Sequence, residues 1–222
     1  MGKGILSIVI SGYRAQCEKL GVTFRMGCEV TEDIIKETKP DAIAAATGSR
    51  LLVPNIPGID GANVVTAEDV LYGNADVKPG PVVVCGGGEV GSETAEFIGQ
   101  TNRDVTILEM KPAILSDMFV VNMLSLIKRI YTLGIKPITN ATVTEITENS
   151  VSFKDAEGKE VTIPAATVVS AFGYRSYNPL EEAAKANCGE VYTIGSAVKA
   201  GNAMTAIKEG YEAGFEIGRA HV

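Results

Sequence analysis

The chain has 222 residues, enough for one large or two small domains with a real core, and its 45% apolar and 21% charged content is that of a soluble globular protein. A net charge of −7 argues against nucleic acid or an anionic membrane surface as a partner, and the longest uncharged run, Val161 to Tyr174, falls well short of the ~20 residues that span a bilayer. Cys17, Cys28, Cys85 and Cys188 are scattered, with no Cys-x-x-Cys or zinc-like spacing, and no secretory signal is evident, so a cytoplasmic protein with reduced thiols is expected.

Ile5 to Leu20 reads as a helix, with Leu6, Val9, Ile10, Tyr13 and Leu20 near helical spacing and Gly21 as its stop. Val22 to Met26 reads as a strand, and Thr31 to Ile34 as the start of a short capped helix. Asp41 to Gly48, small apolar residues closing on glycine, predicts a buried strand; Leu51 to Pro57, with two prolines, must be extended. Lys78-Pro79-Gly80-Pro81 is the clearest linker. Beyond it the order is strand (Val82 to Cys85), helix (Glu89 to Ile98), strand (Val105 to Leu108), then a loop through Lys111 and Pro112. Asp117 to Leu133 predicts a helix with Phe119, Met123, Leu126, Ile127 and Ile130 on one face; Met118, Met123 and Met204 are expected in core positions. Pro137 makes Ile135 to Ile138 an edge strand or an irregular start. Thr142 to Ile146, Ser150 to Phe153 and Glu160 to Ile163 alternate like a β-meander. Thr167 to Gly173 and Glu190 to Gly195 are strands, and Asn202 to Gly218 is a last helix. Strands alternating with helices mean an α/β fold with a mainly parallel sheet. Ala44 to Arg50 and Ser170 to Arg175 form a weak repeat, each an apolar strand ending in glycine and arginine.

The chemistry concentrates at Gly86-Gly87-Gly88-Glu89-Val90-Gly91, a G-x-G-x-x-G between a strand and a helix. The first glycine permits the tight turn, the second lets a pyrophosphate approach the backbone, and the third lets the helix pack on the strand. The helix N-terminus offers N–H groups and a favourable dipole to phosphate. Glu109 closes the next strand, where an acid accepts from the adenosine ribose hydroxyls and repels a 2′-phosphate, so NAD(H) is expected over NADP(H). Lys111 can partly offset that repulsion. Tyr174, just past Gly173, is placed either to stack on a ring or to pack half-buried. No independent catalytic constellation can be assembled: the single histidine, His221, is next to last, so the chemistry would be a cofactor's.

Taken in order, Ala46-Thr47-Gly48, Pro54-Asn55-Ile56-Pro57-Gly58-Ile59, the glycine motif with Glu109, Phe172-Gly173 and Ile194-Gly195 before a final helix resemble the two-dinucleotide-domain flavoprotein reductases. In detail the chain looks most like the C-terminal part of 2,4-dienoyl-CoA reductases, 2-enoate reductases and related NADH:flavin oxidoreductases of the old yellow enzyme type. That resemblance implies a Rossmann-like FAD/NAD(P)-binding fold, with residues 82–174 as the NAD(H) domain and its β-meander, and 1–81 with 175–222 as an incomplete FAD domain. It implies Thr47, Gly48, Gly195 and Ser196 on the FAD side, and Gly173 and Tyr174 beside the NAD(H) site. Ser196 stands where the family has the acid that holds the flavin, and nothing before residue 41 supplies a first glycine loop. FAD is therefore expected of an intact enzyme rather than of this chain alone, together with an N-terminal barrel carrying FMN and an iron–sulfur cluster. The resemblance implies reduction of an activated C=C bond by that longer enzyme; a stand-alone NAD(H)-sensing module is the alternative.

Overall fold

The computed structural model describes residues 5–220. In chain order its elements are α1 (Ile5–Lys19), α2 (Glu32–Thr38), β1 (Ile43–Ala45), β2 (Ser49–Leu51), β3 (Val64–Thr66), α3 (Ala67–Tyr72), β4 (Val82–Cys85), α4 (Glu89–Gly99), β5 (Val105–Leu108), α5 (Val120–Thr132), β6 (Lys136–Ile138), β7 (Thr142–Ile146), β8 (Ser150–Lys154), β9 (Glu160–Pro164), β10 (Thr167–Ser170), β11 (Tyr174–Ser176), α6 (Glu181–Asn187), β12 (Val191–Thr193) and α7 (Ala203–Ala220).

The β-branched run Val82-Val83-Val84 has a reason to be a strand: both its faces are covered. Val82 and Val84 point to one core, with Ala95 and Ile98 of α4, Leu126 and Ile130 of α5, and Ala67 and Val70 of α3. Val83 and Cys85 point to a second core, with Ile146 of β7 and Val151 and Phe153 of β8. Around β4 runs a five-stranded parallel sheet in the order β3-β10-β4-β5-β6. From β4 the chain steps outward to β5 and β6, then returns through the antiparallel β7-β8-β9 meander to β10 on the other side of β4. The strand order reverses between β4 and β10, so a crevice opens at their carboxyl ends, the place where open α/β sheets bind ligands. This is a Rossmann-like fold. Arg129 of α5 clasps Glu96 of α4 through two contacts of 2.6 and 3.2 Å, locking the helical layer.

β6 is an edge strand, as its proline requires. The sheet reaches back before the Lys78–Pro81 linker, since β3 pairs with β10 and α3 joins the same core. The sequence reading did not anticipate β3 and α3. Their signal was Thr66 and Asp69, whose side chains are 2.6 Å apart while the Asp69 N–H donates to Thr66 Oγ1 at 3.0 Å, an N-terminal cap.

The remaining segments form a smaller unit. β1 and β12 pair in parallel, with α2 and α6 packed together beside them. Thr31 caps α2, as its sequence predicts. The repeat has a structural meaning: after the left-handed Gly48 and Gly173, β2 and β11 pair antiparallel with Arg50 opposite Arg175, a ribbon joining the two units. The Arg50 guanidinium lies 3.4 Å from the centroid of the Tyr177 ring.

Three expectations need correction. Residues 22–26 form no strand: Val22, Phe24 and Met26 are exposed, and among the described residues no strand pairs with them. Met204 is 80% exposed rather than core, on a face of α7 that the described chain leaves uncovered, whereas Met118 and Met123 do pack against the core. The helix expected from Asp117 begins at Val120, because Leu115 is left-handed and its carbonyl accepts from the Met118 N–H in a turn. The helix expected at Ile5 is present as α1, but Ile10 and Tyr13 are exposed. Among the described residues no helix is long and apolar enough to cross a membrane. His221 lies outside the described residues.

Two measurements check this packing. Leu126→Ala should lose about 2–5 kcal/mol in denaturant unfolding, since it empties the fully buried contact between α5 and the sheet. Burial pushes the Cys85 thiol from its ordinary 9.0 up to about 12, so in native protein at pH 8 a thiol reagent should label exposed Cys28 and reach Cys85 only on unfolding. The linkage sign follows: the neutral thiol's contribution is complete below pH 9 and is lost as pH rises toward 12.

Candidate functional site

The site is built on the turn from β4 into α4. Gly86 has φ 116°, and a Cβ there would stand 2.1 Å from the Ala171 carbonyl oxygen. A Cβ on Gly91 would stand 2.0 Å from the Gly86 carbonyl oxygen. Gly88 is different in kind: a Cβ there would meet nothing within 4 Å. It is the N-cap of α4 and carries no side-chain cap, so the first-turn amides of the helix are left without a side-chain acceptor. Glycines 86 and 91 are fixed by backbone contact, and Gly88 faces open space at a helix N-terminus, a cradle that fits a pyrophosphate.

Glu109 is 8% exposed at the end of β5. Its carboxylate accepts from the Gly87 N–H at 2.6 Å and from the Lys111 N–H at 2.8 Å. The acid therefore first ties the end of β5 to the glycine loop; each oxygen keeps a second lone pair able to accept a further hydrogen bond. Gly87 lies beneath the loop, where a Cβ would meet Ile114 and Glu109 within 3 Å.

Two clefts run along the carboxyl edge and share Gly88, Asp117, Ala171 and Gly173. One, of about 530 Å³, includes Gly86, Glu109, Met110, Lys111 and Phe172. The other, of about 570 Å³, includes Glu89, Val90, Gly91, Glu68 and Tyr174, with Ser49, Ala200 and Gly201 from the smaller unit. The two clefts meet at Gly88 and together form a groove long enough for a dinucleotide, one half beside Glu109 and the other beside Tyr174. The Tyr174 hydroxyl donates to Glu68 at 2.8 Å; burial first, then that bond, push its phenol up to about 12, so it stays protonated. Glu68 and Asp117 are lining residues that sequence reasoning missed, because nothing marks an acid in a short helix or a loop as facing a groove.

The residues expected on the FAD side form no comparable cradle. Thr47 lines a separate apolar pocket of about 460 Å³, and its hydroxyl donates to the Tyr177 carbonyl. The Gly195 N–H donates to Glu209, and the Ser196 hydroxyl accepts from the Gly201 N–H. Gly48 and the Gly195–Ser196 turn line neither half of the groove. Nearby, Asn178 Oδ1 is buried without a partner, an acceptor whose donor the described chain does not supply. The residues present do not by themselves fit a flavin dinucleotide.

The model of the pyridine nucleotide-disulphide oxidoreductase family matches residues 29–207. The chain is 34% identical over 220 residues to an NADH oxidase of Thermoanaerobacter brockii, covering 97% of this chain and 34% of that protein. It is 31% identical over 207 residues to a cinnamate reductase of Clostridium sporogenes, covering 92% and 30%. Among solved structures it is similar to a 2-naphthoyl-CoA reductase in complex with 2-naphthoyl-CoA, with a TM-score of 0.81 and 35% identity over 91% of this chain and 31% of that one. The chain thus spans about a third of the length of these relatives. It is an oxidoreductase-type dinucleotide module, and it belongs to the pyridine nucleotide-disulphide oxidoreductase family, whose cofactors are NAD(H) and FAD.

Proposed function

We propose that this chain is the NADH-docking module of a flavin-dependent oxidoreductase that reduces an activated carbon–carbon double bond of the enoate or enoyl-CoA type. The observation that carries the docking is the contrast within the loop, where Gly86 and Gly91 are closed by backbone contact and Gly88 is open toward the groove. The substrate class rests on similarity to a cinnamate reductase and a 2-naphthoyl-CoA reductase. Gly88 and the first turn of α4, from Glu89 to Gly91, would hold the pyrophosphate; Gly86, Gly87 and Glu109 would hold the adenosine side, with Glu109 accepting from the ribose. Gly173 and Tyr174 would border the nicotinamide, and Tyr174, fixed by Glu68, would orient its ring. The chemistry supplied by the bound dinucleotide is hydride donation, which in the intact enzyme would serve C=C reduction by way of FAD. Thr47, Gly48, Gly195 and Ser196 would meet FAD only once the rest of its domain is supplied. We divide the chain into an NAD(H) unit and a discontinuous FAD-side unit, with the sheet from β3 to β10 assigned to the first. The unpaired thiols fit a reducing, cytoplasmic setting.

Titration of the purified chain with NADH, followed by nicotinamide fluorescence, should give saturable binding without turnover. Gly88→Ala should weaken NADH at least about tenfold, or ~1.4 kcal/mol, with an unchanged melting temperature, because the added methyl occupies only the groove. Equal NADH affinity in this variant would sink the placement of the pyrophosphate. Glu109→Gln should cost about 1–3 kcal/mol in unfolding, since one backbone N–H loses its acceptor, and should weaken NADH more than NADPH.

A further inference from the structure

Lys111 is the one cation among the described residues that line the adenosine half of the groove, two residues beyond Glu109. In that position a lysine ordinarily threatens the discrimination Glu109 is expected to provide, since an ammonium welcomes a 2′-phosphate. It does not stand free. Its Nζ lies 2.5 Å from Oδ2 of Asp117, a residue on the loop before α5 that lines both halves of the groove. Asp117 holds the Lys111 ammonium above its ordinary value, chiefly through that hydrogen bond. The backbone on each side is fixed: the Lys111 N–H donates to Glu109, the Asn140 N–H donates to the Lys111 carbonyl, and the Leu115 N–H donates to the Gly87 carbonyl. The side chains of Lys111 and Asp117 are 50% and 85% exposed, so the pair contributes little to stability. What it determines is where the charge stands. With Glu109, Lys111 and Asp117 together, the mouth of the adenosine half carries one net negative charge.

We propose that Asp117 is a specificity-determining residue: by engaging Lys111 across the mouth of the groove it withholds the cation lining that half from a 2′-phosphate and sets the preference for NADH over NADPH. This rests on the NADH-docking reading above. Asp117 acts through Lys111, not by touching the ribose.

The test is a set of NADH and NADPH titrations of the full chain as wild type, Asp117→Asn and the Asp117→Asn/Lys111→Met double variant, each with a melting temperature. The expected result is that wild type prefers NADH, that Asp117→Asn raises the ratio of NADPH to NADH affinity about tenfold, the scale of one freed charge acting on a phosphate near a protein surface, and that the double variant loses the gain. The gain should shrink at high salt. A ratio unchanged within about twofold in Asp117→Asn, or a gain that survives removal of Lys111, overturns the assignment. If wild type binds NADH and only the ratio fails to move, the docking reading stands and this one falls; if wild type binds neither dinucleotide, both fall.

Discussion

The approach of α4 to the turn that precedes it is the constraint on which the rest of the site depends. With the Gly86 carbonyl oxygen 2.0 Å from where a Cβ of Gly91 would be, no side chain fits between them. The Gly86 turn is closed on its other side by the Ala171 carbonyl, just past β10. The backbone at 86 therefore meets the backbone at 91 and at 171 directly, and the small Ala171 methyl lies beside Gly91. That contact sets the start of α4 at the carboxyl edge between β4 and β10, and it makes Gly88 the floor of the groove.

Such a contact holds only if the elements behind it are immobile, and the alternation of β4 provides for this. Each of its residues is buried, two against the helical layer and two against the meander, so the strand cannot slide without exposing one face. Glu109 then connects the end of β5 to the loop through the Gly87 and Lys111 amides. Its first duty is structural, and any ribose contact would use oxygens already aligned by that duty. Such prior alignment is what makes a binding group effective, because little ordering remains to be done when the ligand arrives.

The parts of this arrangement legible in the sequence were those whose residues report on their own surroundings. The valine run of β4, the glycine spacing, the acid after β5, the proline of β6 and the alternation of the meander each have a local cause. What was not legible depended on partners distant in the chain. Val22 to Met26 has the composition of a strand but, among the described residues, no strand beside it. Met204 has helical spacing, but whether its face is covered is decided elsewhere. The β3–α3 unit is not legible in the sequence because a three-residue strand carries almost no periodicity; only Thr66 and Asp69 mark it. Glu68 and Asp117 became visible as groove residues only once β10 and β4 were side by side.

The ribbon of β2 and β11 explains why the two halves of the groove differ. The half beside Glu109 is walled mostly by the sheet unit: the ends of β4 and β5, the loop before α5 and the start of β7. The half beside Tyr174 takes Ser49 and Leu51 from β2, Tyr174 from β11, and Ala200 and Gly201 from the loop before α7. It exists only because the ribbon, with Arg50 opposite Arg175, brings the smaller unit against the edge of the sheet. On the dinucleotide reading, recognition of the adenosine end is a property of one rigid unit, whereas the geometry of the reactive end is a property of the junction. A change in how the two units sit would therefore alter hydride geometry before it altered affinity, and the ribbon, rather than the glycine loop, is where the two become separable.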